Sequence, residues 1–432
     1  MSEESAAGER RDQSVSAEIN VTPALESPVS HELPQVRRQS LSLRGGACDM
    51  RVGAGALERV GNDLKPIVGN PNRAVLVHGA EVRADDVEVA RRCLVDAGFS
   101  VSLLAAPAGR AVAALPFVNE VYGTLARAGV TADDAVVAIG DAGLISALVF
   151  ACSTWCGGVA LCAVPTSLDG MVEVPVTPRP LDLGSEGDVE GRGVDMVLCR
   201  SSFPRLLVCD TLRWGGASDG APSGAVVTTG GPDVGAPLDE GALMGRAVLV
   251  ATAVAAGERS FSDLALRADG LLSGDGEALA DELLDITKGR ARLFTSSAVA
   301  IRQGLSYGTE LARGLASLLP GVAPSLLLGE GLRFASRLAV AHQGKGAELV
   351  FAQDALLDKL GLPEVPCELD PDAVLDSVKR AAFQRSNRFM VAMPLDYGRV
   401  RLTAAPDDML REHLGAWCKA RRKLARRICK SS

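Results

Sequence analysis

The chain has 432 residues, enough for two or three domains, and is 47% hydrophobic, so a large core can form. Its formal net charge is −8 and only 4% of its residues are aromatic. That balance argues against a protein that binds nucleic acid over its whole surface, which would be basic and would offer stacking platforms for bases. The opening residues MSEESAAGERRDQ are charged where a secretion signal would be apolar. The longest apolar candidate, Ala247–Ala256 after Arg246, has ten residues, short of the ~18 that a membrane-spanning helix needs. Ten cysteines are scattered without a C-x-x-C pair, which reads as small buried thiols in a reducing cytoplasm. A cytoplasmic protein without a membrane span is therefore expected.

Residues 1–40 are rich in Ser, Glu, Pro and Arg and read as a disordered tail. From Leu41 onward strands and helices alternate. RAVLVHG (Arg73–Gly79) reads as a buried strand with a turn, and VEVARRCLVDAGF (Val87–Phe99) as an amphipathic helix closed by Gly98. SVSLLAAP (Ser100–Pro107) is a second strand, followed by the helix FVNEVYGTLARAGV. AVVAIG, VALCAVP (Val159–Pro165) and PRLLVCD (Pro204–Asp210) complete a set of apolar strands. Short strands alternating with helices point to an α/β domain over 41–214 built on a doubly wound parallel sheet. The Gly, Ser and Pro-rich residues 215–237 read as a linker. Residues 238–416 read as a helical domain, and LDEGALMGRAVLVATAVAAG is apolar on all sides, which suits a buried helix.

The last segment, 417–432, is a basic tail. Lys419, Arg421, Arg422, Lys423, Arg426, Arg427 and Lys430 place seven positive charges in twelve residues. On a helix Trp417, Leu424 and Ile428 would share one face. Two readings stay open, a solvated basic end or a contact with acidic lipid, RNA or an acidic partner.

DDAVVAIGDAGLISA (Asp133–Ala147) runs from a strand through a tight turn into an apolar helix, where a phosphate-binding turn would stand. GGVALCAVPTSLDGMVE (Gly157–Glu173), FPRLLVCDTL, LSYGTELARGLA (Leu305–Ala316), LLGEGLRFASRLA (Leu327–Ala339) and FMVAMPLDYGRV follow it. In this order the motifs resemble those of 3-dehydroquinate synthase and its sugar-phosphate cyclase relatives, over about residues 41 to 415. The resemblance implies an N-terminal doubly wound α/β nucleotide-fold domain followed by an all-helical C-terminal domain. It further implies NAD and a divalent metal as family cofactors, a small-molecule or nucleotide ligand, a homodimer, and a place in the shikimate pathway of aromatic amino-acid biosynthesis.

Residue by residue, the resemblance is uneven. Gly140, Asp141, Gly143, Thr166, Ser167 and Asp210 fall at positions of the family NAD site. Asp141 and Ala142 replace glycines, Ser146 replaces the turn's closing aspartate, and the family "GExxK" contact is here Gly109–Ala113 without its glutamate and lysine. Glu173 stands for an aspartate, and Arg179 for the lysine of "GGK", which leaves Arg179 as the candidate catalytic residue. The metal-ligand positions fall on Thr309, Arg313 and Leu328 and near Met244, and none of these residue types suits zinc or cobalt, so no divalent metal is expected. His342 and His413 have no second ligand at metal spacing. His78, at the end of a strand, reads as a ligand contact or a turn histidine bonded to backbone, and Glu330 as an acid favoured at a helix N-terminus. GDAGLIS is then either a residual nucleotide pocket or a packed turn without ligand. The whole reads as a synthase-like protein with degenerate chemistry. The alternative is a non-catalytic binding or regulatory paralogue acting on a true synthase or another enzyme of the pathway.

Overall fold

The computed structural model describes residues 36–69, 72–183, 195–197, 203–213, 239–383 and 386–431. The linker expected over 215–237, and the tail as far as residue 35, lie outside them.

The chain enters with an antiparallel pair, β1 (Arg37–Leu43) and β2 (Gly46–Gly53). The first strand thus begins inside the segment read as tail. Helix α1 (Val60–Val68) leads to β3 (Arg73–His78), α2 (Ala84–Asp96), β4 (Ser100–Ala105) and α3 (Leu115–Ala128). Next come β5 (Ala135–Gly140), α4 (Ala142–Thr154), β6 (Ala160–Pro165) and the single turn α5 (Leu168–Val172). A short pair, β7 (Leu181–Asp182) and β8 (Asp195–Val197), precedes β9 (Leu206–Asp210). The rest is helical: α6 (Glu240–Ala256), α7 (Glu258–Ser273), α8 (Gly276–Thr295), α9 (Val299–Arg302), α10 (Thr309–Leu318), α11 (Pro324–Gln343), α12 (Ala347–Lys359) and α13 (Pro371–Phe383). A hairpin of β10 (Val391–Pro394) and β11 (Val400–Thr403) interrupts this run before the last helix, α14 (Asp407–Ser431).

The main sheet has the order β1-β2-β9-β6-β5-β3-β4, and every pairing except β1–β2 is parallel. Its inner strands β5, β6 and β9 are almost continuously apolar because both of their faces are covered. Along β5, Ala135, Val137 and Ile139 join one core with α1 and α2, while Val136 and Ala138 join the other with α3 and α4. That second core continues without a break into α6, α8, α10 and α11, so the helical part closes on the sheet through shared apolar side chains. The architecture is the expected one, an α/β half followed by helices. The strand order reverses direction between β3 and β5. Open α/β sheets bind ligands in the crevice outside the carboxyl ends of the strands at such a point.

Helix α14 carries the basic tail to Ser431 as continuous helix. It is fastened by Glu330, which lies in the second turn of α11 and is 0% exposed. The Glu330 carboxylate accepts from Val365 N at 2.6 Å, Trp417 Nε1 at 2.7 Å, and Arg421 Nε and Nη2 at 2.9 and 2.7 Å. Glu330 is therefore a buried clamp and not a first-turn acid facing solvent. Among the described residues no helix is long and apolar enough to cross a membrane.

Candidate functional site

At the carboxyl end of β5 the backbone turns through Gly140 and Asp141 into α4. Gly140 has no room for a side chain: a Cβ would lie 2.6 Å from Leu144 Cδ2 and 3.1 Å from Glu81 Oε1. Asp141 is the N-cap of α4, and its carboxylate accepts from Leu144 N at 2.8 Å. Its own N–H donates to Glu81 Oε1 at 3.1 Å. A helix N-terminus in this position is a ready anion cradle. Here two of its N–H groups are taken by two of the chain's own carboxylates. Partial burial, and then the charge of Asp141, push the Glu81 carboxyl above the usual range. The Thr166 hydroxyl flanks Glu81, and Thr166 N donates to Gly140 O at 2.9 Å, pinning the end of β6 to β5.

Gly143 sits in the first turn of α4. A Cβ there would lie 3.3 Å from Val112 Cγ1 and 3.5 Å from Ala113 Cβ. The tight 3₁₀ turn Gly109–Ala113 thus closes on the glycine with apolar groups where the family pattern has a glutamate and a lysine. Ser167 is buried, and its hydroxyl has no hydrogen-bond partner among the described residues. Asp210 ends β9, 2% exposed, and accepts from Gly55 N, Leu57 N and Leu212 N at 3.2, 3.0 and 3.0 Å and from the Arg213 guanidinium. Its carboxylate is engaged in joining β9 to the segment after β2. His78 ends β3, with Nδ1 3.2 Å from Gly79 O.

Arg179 follows α5, its side chain half-buried. Its Nη2 is 2.7 Å from Asp169 Oδ2, its Nε donates to Glu173 Oε2 at 2.8 Å, and its backbone N–H donates to Ser146 Oγ at 2.9 Å. Burial pushes the Asp169 carboxyl up, against the pull of the Arg179 charge. Glu173 also faces Arg290 Nη2 at 3.7 Å. Arg290, on α8, donates through Nη2 to Thr177 Oγ1 at 2.6 Å and through Nη1 to Thr252 Oγ1 at 2.9 Å. The result is a partly buried network of two arginines and two carboxylates linking α5, the turns after it, α6 and α8. Arg179 and Glu173 stand out along the sequence, whereas Arg290 and Glu81 do not. The signal for Arg290 was a lone arginine on the apolar side of a helix. Glu81 offers none beyond its place three residues after a strand.

The helical wall of the crevice is different in kind. Leu328 is buried in the core and Met244 packs against it. Thr309 opens α10 and spends its hydroxyl on Ser306 O at 2.7 Å, and Arg313 lies one turn on. Glu240, one turn before Met244, accepts from Ser325 N and Oγ at 2.8 and 2.6 Å. Among the described residues no group of three or more His, Cys, Asp and Glu is disposed to hold a metal ion. Thioether, alkyl, hydroxyl and guanidinium groups at these places do not fit a divalent cation.

No family model matches the chain. It is 25% identical over 388 residues to the 3-dehydroquinate synthase of Synechococcus sp. (strain CC9605), covering 87% of this chain and 95% of that protein. It is 24% identical over 367 residues to the synthase of Rippkaea orientalis, covering 82% and 90%. Its fold is similar to that of 2-deoxy-scyllo-inosose synthase in complex with carbaglucose-6-phosphate, NAD+ and Co2+, with a TM-score of 0.70 at 15% identity over 88% of this chain and 99% of that one. It is likewise similar to ValA, the 2-epi-5-epi-valiolone synthase of Streptomyces hygroscopicus subsp. jinggangensis with NAD+ and Zn2+ bound, at TM-score 0.67 and 16% identity over 88% and 99%.

Proposed function

We propose that this chain, a divergent relative of 3-dehydroquinate synthase with the sugar-phosphate cyclase fold, is a catalytically degenerate synthase-like protein of aromatic amino-acid biosynthesis. One observation carries the proposal: the anion cradle at the head of α4 is filled by Asp141 and Glu81. A dinucleotide pyrophosphate brought to that turn meets two carboxylates, the exposed Glu81 and the half-buried Asp141, whose like charge repels it at hydrogen-bond range. Two further arrangements support the reading. Arg179, the remaining candidate for anchoring an anionic substrate, is held between Asp169 and Glu173. The metal positions hold Thr309, Arg313 and Leu328, with Met244 near the fourth, and these side chains do not fit the ion.

A protein of this kind acts by binding. The role that follows is a regulatory or scaffolding paralogue of a true synthase or of another enzyme of the same pathway. A homodimer and a cytoplasmic setting come with it by family analogy, and the described cysteines are all free thiols. The Gly140, Gly143, Thr166, Ser167 and Asp210 positions keep the frame of a cofactor site without its open cradle.

The test is a coupled assay for 3-dehydroquinate formation with added NAD and zinc, run beside an intact synthase. No turnover is expected. Turnover that Arg179→Ala abolishes would show that the network around Arg179 is an active site.

A further inference from the structure

We propose that the outward face of α14 is a docking strip for a phosphodiester backbone, read without regard to base sequence. The orientation of this helix is fixed from behind. Leu410, Leu414, Trp417, Cys418 and Arg421 are buried, and Arg421 is gripped by Glu330 and by Glu364 Oε1 at 2.7 Å. The Arg421 guanidinium also lies 5.8 Å from the centroid of the Trp417 ring. With that side locked, the helical period turns Lys419, Arg422, Lys423 and Arg426 to the opposite side, and all four are exposed. At about 1.5 Å per residue they form a row roughly 10 Å long. Among the described residues no ion pair engages Lys419, Arg422 or Lys423, while Arg426 meets only the exposed Glu368, at 3.5 Å.

The helix dipole does not account for this row. It favours cations in the last turn alone, and Lys419, Arg422 and Lys423 stand before it. A lipid surface fits less well than a polyanionic strand. An interfacial helix binds by burying its apolar face among acyl chains, and here that face is already covered by the body of the protein. Ile428, 36% exposed, is the main apolar group left near the end. The chain carries −8 overall despite this strip, so the body is strongly acidic. A broad anionic plane would face that body, whereas a strand lying along α14 meets the cations alone. Aromatic residues are only 4% of the chain, so contact is through phosphate.

The experiment is fluorescence anisotropy of the full chain with labelled single-stranded RNA and duplex DNA of about 20 nucleotides, with phosphatidylserine vesicles as a separate arm. The RNA and DNA arms tell which source of phosphodiester is preferred. Four neutralised phosphates on a single strand imply a salt slope near −2.8, or about 50-fold weaker binding at ~200 than at ~50 mM salt. The triple change Lys419→Glu, Arg422→Glu, Lys423→Glu is expected to weaken binding more than about tenfold at ~50 mM salt with the melting temperature unchanged. If that variant does not fold, Lys419→Gln with Lys423→Gln decides, with an expected loss of about 1.4 from the slope. Three results would overturn the proposal: no anisotropy change with either nucleic acid at ~50 mM salt, unaltered binding by a folded variant, or binding to the vesicles alone.

Discussion

The two walls of the crevice differ in kind. The sheet wall, at the ends of β3, β5 and β6, is still densely charged, but its charges answer one another: Glu81 and Asp141 on the head of α4, Asp169 and Glu173 on Arg179 and Arg290. The helical wall is instead part of the core, with Leu328 buried and Met244 packed against the core cluster. On the proposed reading the site closes by two routes. Internal pairing keeps the polar groups in place and leaves the closure reversible by a few substitutions. Apolar replacement removes the groups, and restoring them places polar atoms where nothing is arranged to receive them.

The largest effect that sharpens this contrast is expected from Arg290→Ala. It leaves Thr177 and Thr252 without their buried donor and Glu173 with Arg179 as its one guanidinium, and the lost bonds and packing should cost about 3–5 kcal/mol in urea denaturation. A loss under about 1 kcal/mol would mean that the sheet wall does not depend on its internal pairing. On the helical wall, Leu328→His reinstates a histidine at the expected metal position. It should cost roughly 2–4 kcal/mol and bring no zinc affinity, since the cost is that of cutting an imidazole into the core. Retained stability together with bound zinc would show that this wall is still a metal corner.

A smaller effect comes from pH. Burial pushes Glu310 and Glu282 up to about 7, for Glu282 against the pull of Arg267 3.1 Å away. One Glu310 carboxylate oxygen is buried without a hydrogen-bond partner among the described residues. Both groups are more easily protonated folded than unfolded. Their contribution is fully present below the unfolded value of 4.5 and is lost as pH rises through about 7. Melting temperature should therefore fall as pH is raised between those values, and Glu310→Gln should flatten the profile. A profile that Glu310→Gln leaves unchanged would place the titration elsewhere. The smallest effect is expected from Asp141→Ala, about 1 kcal/mol for loss of the helix cap. No measurable loss would mean that the carboxylate is not serving as a cap.

Much of the fold is legible in the sequence because its strands are short apolar runs separated by helices, a pattern that local chemistry sets. The strand β1 is not, since RRQSLSL alternates polar and apolar residues and follows directly on a polar stretch. Its identity depends on β2 pairing beside it. The site was legible to the extent that it is local: the turn at Gly140 and Asp141 lies within one strand–helix corner. Glu81 lies 60 residues from the backbone N–H it accepts from, and Glu330 lies 87 and 91 residues from Trp417 and Arg421. Nothing along the chain announces such partnerships. A charged residue beside a helix start reads as solvated until another element arrives to bury it.

The most direct measurement of the central claim is calorimetric titration of NAD into the wild-type chain and into the double variant Glu81→Ala, Asp141→Gly. Each charged hydrogen bond to phosphate is worth about 1.5–3 kcal/mol, so freeing two N–H groups and removing two carboxylates should turn undetectable binding into binding in the range of ~0.1–1 mM. Wild-type affinity is expected to be weaker than ~1 mM. Micromolar affinity in the wild type would contradict the account, because it would mean that the carboxylates at the head of α4 do not close the cradle.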